Sequence, residues 1–472
     1  MTPRTNTTMP HGYVPDWVPL NSWNQVAPRS YNRFLLCFEV ENNKQAAAIA
    51  HLTSCATKLG ENRPVLRSLL KANVPVALIL KLGSHDIPVE VYDIKDTFLE
   101  TYSHIKDTGF PALAFLSKEF EVPTGDVDHA LILRIYKVDG GLFLGIHLHH
   151  SMGDGQAVDD VISWLSAESR GVSSDGAEST IFASSFEERR MDDQSLDPED
   201  ISRRFPERRL LAPPLAQTPA NNERTGKIFV FKVATLETIQ NQAKQLGNMK
   251  RPSTTVTMIA LLWAHTAKAR TPLSQVMKNG EDCSRLLTIV DARKRVFDHD
   301  QARVYFGNIA EAALTNLPTT QLLQAGETPT NGTHLSMVAK QLEPIFRSVQ
   351  DSIQEVDEVF TRERHSLYTR LPDPRNLVFD YSMNDRRVLM LNSWRYIGMN
   401  AGQEWNLTGT DSVVYPDAIR RAGGEWNGQS VMVLPARPES GELEAMIVIE
   451  EDAMERLLND QGLMGLVSRV IG

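Results

Sequence analysis

The chain has 472 residues, 42% of them hydrophobic and 23% charged, the balance of an ordinary soluble globular protein and more than one small core can hold. With 59 acidic against 49 basic residues its formal charge is −10, which argues against non-specific attachment to nucleic acid or to an acidic membrane surface, since both need a basic face. The three cysteines, Cys37, Cys55 and Cys283, are widely spaced and form neither a CxxC pair nor a disulfide framework. The opening "MTPRTNTTMPHGYVPDW" has no apolar signal core, and no apolar run is long enough to cross a bilayer, so a cytoplasmic protein without membrane or nucleic-acid partners is expected.

In chain order, "YNRFLLCFEV" (31–40) is predicted as a strand and "NKQAAAIAHLTSCATKLG" (43–60) as a helix that stops at Gly60. "VPVALILKL" (74–82) and "LILRIYKV" (131–138) are further strands. The second continues through a Gly-Gly turn into the alternating "LFLGIHLHH", which makes a hairpin. "QAVDDVISWLSAES" (156–169) carries apolar residues at 158, 161, 162 and 165, a helical period. From about 170 to 225 the chain is charged, proline-bearing and poor in periodic apolar positions, the texture of a surface crossover.

Beyond it come a strand "KIFVFKV" (227–233), a helix "TLETIQNQAKQLG" (235–247) and a helix "STTVTMIALLWAHTAKAR" (253–270) whose Ser/Thr start suits capping. "RLLTIVDAR" (285–293), "VMVLPAR" (431–437) and "ELEAMIVIE" (442–450) read as strands and "DAMERLLND" (452–460) as a short helix. No repeat of solenoid length occurs. The pattern is a mixed α/β chain in two halves, residues 1–185 and 225–472, joined by a crossover at 186–224.

The densest chemistry is "GIHLHHSMGDG" (145–155). Strand alternation puts His147 and His149 on one face and His150 on the other. A metal site would need a third ligand beside His147 and His149, and no Cys- or His-rich segment supplies one, so no metal is expected. His150 ends the strand beside Gly153, Asp154 and Gly155, where a side chain can reach a cleft while its backbone stays held. The local pattern leaves two readings open: a reactive imidazole, or a hydrogen-bonded histidine above a glycine-rich turn. Asp154 could fix that turn by bonding to backbone amides or to an arginine.

His150-Ser151-Met152-Gly153-Asp154-Gly155 resembles the HxxxDG signature of the BAHD acyltransferases, which are CoA-dependent O- and N-acyltransferases. "VDARKR" (290–295) and "VYFGN" (304–308) look like the V-D-x-R and Y-F-G-N segments of that family, "LNSWRY" (391–396) like its T-S-W segment, and "PSTTVTMIALLWAHTAKA" like its Ser/Thr-led helix. The opening "VPLNSWNQVAPRSYNRFLLCFEV" and the ending "YPDAIRRAGG…VMVLPARPESGELEAMIVIEEDAMERL" are similar to the fungal branch that includes trichothecene acetyltransferases. One motif departs: the D-F-G-type segment is here Trp405-Asn406-Leu407-Thr408, with Asn for the acid and no glycine.

The resemblance implies two chloramphenicol-acetyltransferase-like domains, each a mixed sheet with helices, with a channel at their interface. It implies acyl-CoA, acetyl-CoA above all, as co-substrate, a small-molecule acceptor from fungal secondary metabolism, no permanently bound cofactor, and a monomer. His150 would be the general base, and Asp154 with Gly155 would be held by Arg293. Asn392 would stand for the oxyanion-contacting threonine, Trp394 would wall the acceptor pocket, and Ser253 and Thr254 would meet CoA. A neutral imidazole with an ordinary pKa near 6.5 suits removal of a hydroxyl proton, and no Ser or Cys nucleophile is needed.

Two rivals remain. His149-His150 with Asp154-Gly155 also fits the condensation domains of peptide synthetases, which take acyl groups from a carrier protein. The altered Trp405 segment would suit a non-catalytic binder that kept the fold.

Overall fold

A computed structural model describes residues 17–74, 78–80, 85–172, 203–210, 223–247, 249–271, 282–327, 335–371, 373–382, 384–410, 412–423 and 430–472. The segment before Trp17, the flanks of the strand expected at 74–82 and most of the crossover at 186–224 lie outside the described residues.

The protein is a mixed α/β chain built as two sheet-and-helix bodies. The first centres on a five-stranded sheet in the order Ala418–Arg421, Phe34–Glu39, Gly141–Leu148, Leu131–Val138, Val89–Asp93. Its middle is the expected hairpin, antiparallel from Leu131↔Leu148 to Val138↔Gly141. The connection differs from the Gly-Gly turn expected. Asp139 and Gly140 form the loop, with Gly140 at φ +81°, while Gly141 already belongs to the strand. A Cβ on Gly141 would stand 2.1 Å from Tyr102 Cδ2, so this glycine serves close packing and its neighbour serves the backbone angle.

Every residue of Gly141–Leu148 is buried, because both faces of the sheet are covered. Helices Gln45–Asn62 and Gly155–Ser169 lie on one face, packing Leu52, Leu59, Val158, Ile162 and Leu165 against Phe34, Leu144 and Ile146. An aromatic cluster of Phe98, Tyr102, Phe115, Phe120, Tyr136 and Phe143 covers the other.

The second body is a seven-stranded sheet in the order Ala310–Pro318, Cys283–Asp291, Val388–Ser393, Ser430–Val433, Glu442–Glu450, Arg224–Lys232, Val467–Ile471. Helices Val233–Gln245, Thr254–Arg270, Thr319–Gly326 and Leu335–Glu355 share its main core. Thr254–Arg270 is buried on nearly every side, so its sequence is apolar without a one-sided stripe. Leu335–Glu355 shows the opposite pattern, burying Val338, Leu342, Ile345, Phe346 and Val349 at helical spacing while most of its other positions are polar.

A strand pairing and a ring stack are among the contacts that bind the bodies together. Strand Ala418–Arg421 comes from the C-terminal part of the chain yet pairs antiparallel with Phe34–Glu39, from Ala418↔Cys37 to Arg421↔Phe34. At Trp394, just past strand Val388–Ser393 of the second sheet, the indole stacks on Phe34 of the first at 3.9 Å between ring centroids. Among the described residues no helix is long and apolar enough to cross a membrane.

Candidate active site

The hairpin and the helix Gly155–Ser169 meet at a turn, and that turn carries His150. Its backbone is anchored at both ends. The His150 amide donates to the Ser30 carbonyl at 2.7 Å, and the His150 carbonyl accepts from Asn308 Nδ2 at 2.7 Å. Asn308 is held in turn by Asn24, whose Oδ1 accepts from the Asn308 amide at 2.9 Å and from its side chain at 2.8 Å. Neither Asn24 nor Ser30 was singled out from the sequence. The signal available was an "FGN" asparagine and an N-terminal "NSWN", which give the residue types but not their meeting.

Asp154 starts the helix as its N-cap, accepting from the Gln156 and Ala157 amides at 3.1 and 3.3 Å. The same carboxylate takes a two-pronged contact from Arg293, Nη2 to Oδ1 at 2.8 Å and Nη1 to Oδ2 at 3.0 Å, with the Ile309 amide adding a bond to Oδ2 at 3.1 Å. Arg293 reaches further, to Asp291 Oδ1 at 2.9 Å and to the Gly307 carbonyl at 2.5 Å. One guanidinium thus ties the VDAR segment and the YFGN segment to the histidine turn. Both side chains of the pair are buried, 3% and 8% exposed.

The electrostatics follow from that burial. Desolvation alone would push the Asp154 carboxyl up, but the Arg293 charge and hydrogen bonds, with the Ile309 and Ala157 amides, hold it below the usual carboxylate range. Desolvation would lower the Arg293 guanidinium, and the Asp154 and Asp291 charges more than offset it, so it is raised. The pair is a fixed ion pair. His150 moves the other way: desolvation lowers its pKa from 6.5, against smaller opposing effects of its own main chain, Asp154 and Asn308. Its imidazole is therefore neutral at physiological pH. Nδ1 is enclosed and, among the described residues, has no hydrogen bond of conventional geometry, although its own main chain and Asn308 lie near enough to act on the ring.

The glycines of the turn act through space rather than through backbone angle, since neither Gly153 nor Gly155 has a positive φ. A Cβ on Gly153 would lie 2.3 Å from Ala157 Cβ, and one on Gly155 would lie 3.2 Å from Ile397 Cδ1. Gly153→Ala forces the helix start off the turn. The expected result is a destabilisation of about 1–3 kcal/mol, read as a lower midpoint in chemical denaturation, with Gly155→Ala milder.

The other singled-out residues are placed as follows. Asn392 is partly buried near the end of strand Val388–Ser393, paired with Met432, and no hydrogen bond links it to the His150 turn. Trp394 is 8% exposed and belongs to the core of the first body. Ser253 caps helix Thr254–Arg270 by accepting from the Val256 amide at 3.2 Å, and Thr254 accepts from Gln240 Nε2 at 3.1 Å. Those bonds account for both hydroxyls locally.

His149 is fully buried. Trp405 is fully buried too, its indole edge-on to Phe38, and the Asn406 amide donates to Ser169 Oγ at 3.0 Å. Ser169 is the last residue of the helix that Asp154 begins, so the altered segment sits some ~20 Å along that helix from the turn. Among the described residues no group of three or more His, Cys, Asp or Glu could hold a metal.

The sequence pattern described as the Transferase family is matched by residues 130–464. Eremophilane O-acetyltransferase ORF8 of Penicillium roqueforti is 24% identical over 336 residues, spanning 62% of this chain and 70% of that protein. The crystal structure of F. graminearum TRI101 complexed with coenzyme A and deoxynivalenol superposes with a TM-score of 0.76 at 17% identity, covering 97% of this chain and all of that one (100%). The epimerization domain from the third module of tyrocidine synthetase B reaches only 0.54 at 13% identity, over 96% of this chain and 97% of that one. The chain belongs to the Transferase family, the BAHD-type acyltransferases.

Proposed function

We propose that this protein transfers an acyl group, acetyl above all, from acyl-CoA to a hydroxyl of a small fungal secondary metabolite, with His150 as general base. His150 Nε2 takes the proton as the acceptor oxygen attacks the thioester carbonyl. The C–O bond forms, the C–S bond breaks, and the imidazolium returns the proton to the departing thiolate. Both substrates are held at once in a passage between the two bodies, so that no acyl-enzyme forms. Binding them in one site supplies the orientation term, and hydrogen-bond donors near the developing oxyanion supply the rest. Asn392, at the junction of the bodies, is the side chain we assign to that oxygen, with Trp394 beside it as part of the acceptor wall.

The observation that carries this proposal is the His150 imidazole itself. It is neutral, partly buried and fixed by its backbone, and its enclosed Nδ1 has no hydrogen bond of conventional geometry among the described residues. The P. roqueforti relative bears an O-acetyltransferase name, and TRI101 was crystallised with coenzyme A, which supports the donor and the acceptor oxygen.

A panel of acyl-CoAs against small alcohols and amines, followed by thiol release, tests the assignment. Acetyl-CoA with a terpenoid alcohol should be the active combination. Turnover only with a carrier protein's loaded pantetheine arm, and none with free acyl-CoA, would transfer the protein to the condensation-domain class. Binding of acyl-CoA without thiol release from any acceptor would make it a binder.

The pH profile is a second prediction. Because the pKa is lowered, the basic form of His150 persists below pH 6.5 and is lost only as pH falls through the depressed value. The acid limb of kcat/KM should therefore have its midpoint below 6.5 in the free enzyme.

A further inference from the structure

The residue before the proposed base is as closely constrained as the base. His149 Nδ1 accepts from the Ser151 amide at 3.2 Å, and the His149 carbonyl accepts from the Met152 amide at 2.7 Å. The two bonds that fold the chain back immediately after His150 therefore both end on His149. An Nδ1 that accepts places the ring proton on Nε2. That nitrogen faces Asp128 Oδ2 at 3.7 Å, and among the described residues neither atom has a conventional hydrogen bond, although both are buried.

Asp128 is itself held, because its Oδ1 accepts from the Gly125 amide at 2.8 Å. Tyr31 closes the ring in edge-on, 5.1 Å between centroids. The other titratable groups acting on it are His150 and Arg29, which donates to Ser151 Oγ at 3.4 Å. Desolvation first, then those two neighbours, push His149 down to about 3. It stays neutral through the working pH range, so its Nδ1 remains available as an acceptor.

We propose that His149 is a positioning residue for the acyl transfer, oriented by Asp128, and that its Nδ1 sets the conformation of the Ser151 amide and so the direction of the His150 ring. This rests on His150 being the base. Two substitutions separate the atoms of the imidazole. In His149→Asn the side-chain oxygen stands where Nδ1 stood and can still accept from Ser151. In His149→Gln the polar end lies where Nε2 stood, and that acceptor is lost.

The expected result is that His149→Asn keeps kcat within about threefold, whereas His149→Gln lowers kcat by about ten- to a hundredfold with KM little changed, the effect of a small misplacement of a reacting group. Thermal midpoints of the two variants should be alike. Equal kcat in both, or a loss in His149→Asn as large as in His149→Gln, overturns the inference. So does failure of both to fold, since His149 would then be holding the core rather than aiming the turn. His150→Ala is run beside them: if it stays active the fault lies in the proposed base, and if it is dead while His149→Gln is unimpaired the fault lies in the positioning role alone.

Discussion

His150→Ala lowers kcat by about a hundred- to ten-thousandfold, the contribution of a placed general base, and leaves the fold intact. The second half of that expectation follows from how the residue is anchored. The bond to the Ser30 carbonyl and the bond from Asn308 are both made by the His150 main chain, which alanine retains, and the enclosed Nδ1 has no conventional hydrogen bond among the described residues to lose. Thermal midpoint and coenzyme A affinity should stay near those of the parent, so that the deficit appears in turnover alone. His150→Gln should be equally inactive, because an amide has no basic nitrogen. Full turnover in the alanine variant would remove the base from the mechanism.

The second large effect is on stability. Arg293→Ala strands a buried carboxylate that keeps only the amides of Gln156, Ala157 and Ile309, and it removes the donor from the Gly307 carbonyl. Removing one member of a buried pair costs about 3–5 kcal/mol, which in a chain of this length is a drop of a few degrees in thermal midpoint. Arg293→Lys should recover little, since a single ammonium cannot grip both Asp154 oxygens while also reaching Asp291 and Gly307. Replacing Asp154 and Arg293 together by apolar residues of similar volume should be less damaging than Arg293→Ala, because no unpaired charge is left behind. A double substitution as unstable as the single one would show that the hydrogen bonds to Gly307 and to the helix start, rather than the charges, hold the turn.

Much of this was legible locally. The hairpin, the helix after it and the turn between them follow from alternation, helical spacing and two glycines within a few residues, and these patterns survive in any context. The amphipathic helix Leu335–Glu355 had an equally plain period but stood in a stretch without a motif to draw attention to it. Other features had no local signal. Asp154 and Arg293 meet across 139 positions, and neither segment by itself says which carboxylate a buried arginine will grip. Short strands such as Leu69–Lys71 and Asp128–His129 are too brief to show a period, because their pairing is decided by partners far along the chain. The role of the glycines changed as well: the sequence could say that the turn was tight, but only coordinates distinguish want of space from want of a left-handed angle.

The strand Ala418–Arg421 makes the two bodies interdependent. A fragment ending at the crossover would leave the Phe34–Glu39 edge bare, a row of open amides and carbonyls ready to recruit the same edge of another copy. Separating the halves would therefore cost the first sheet an edge strand that the C-terminal part of the chain supplies.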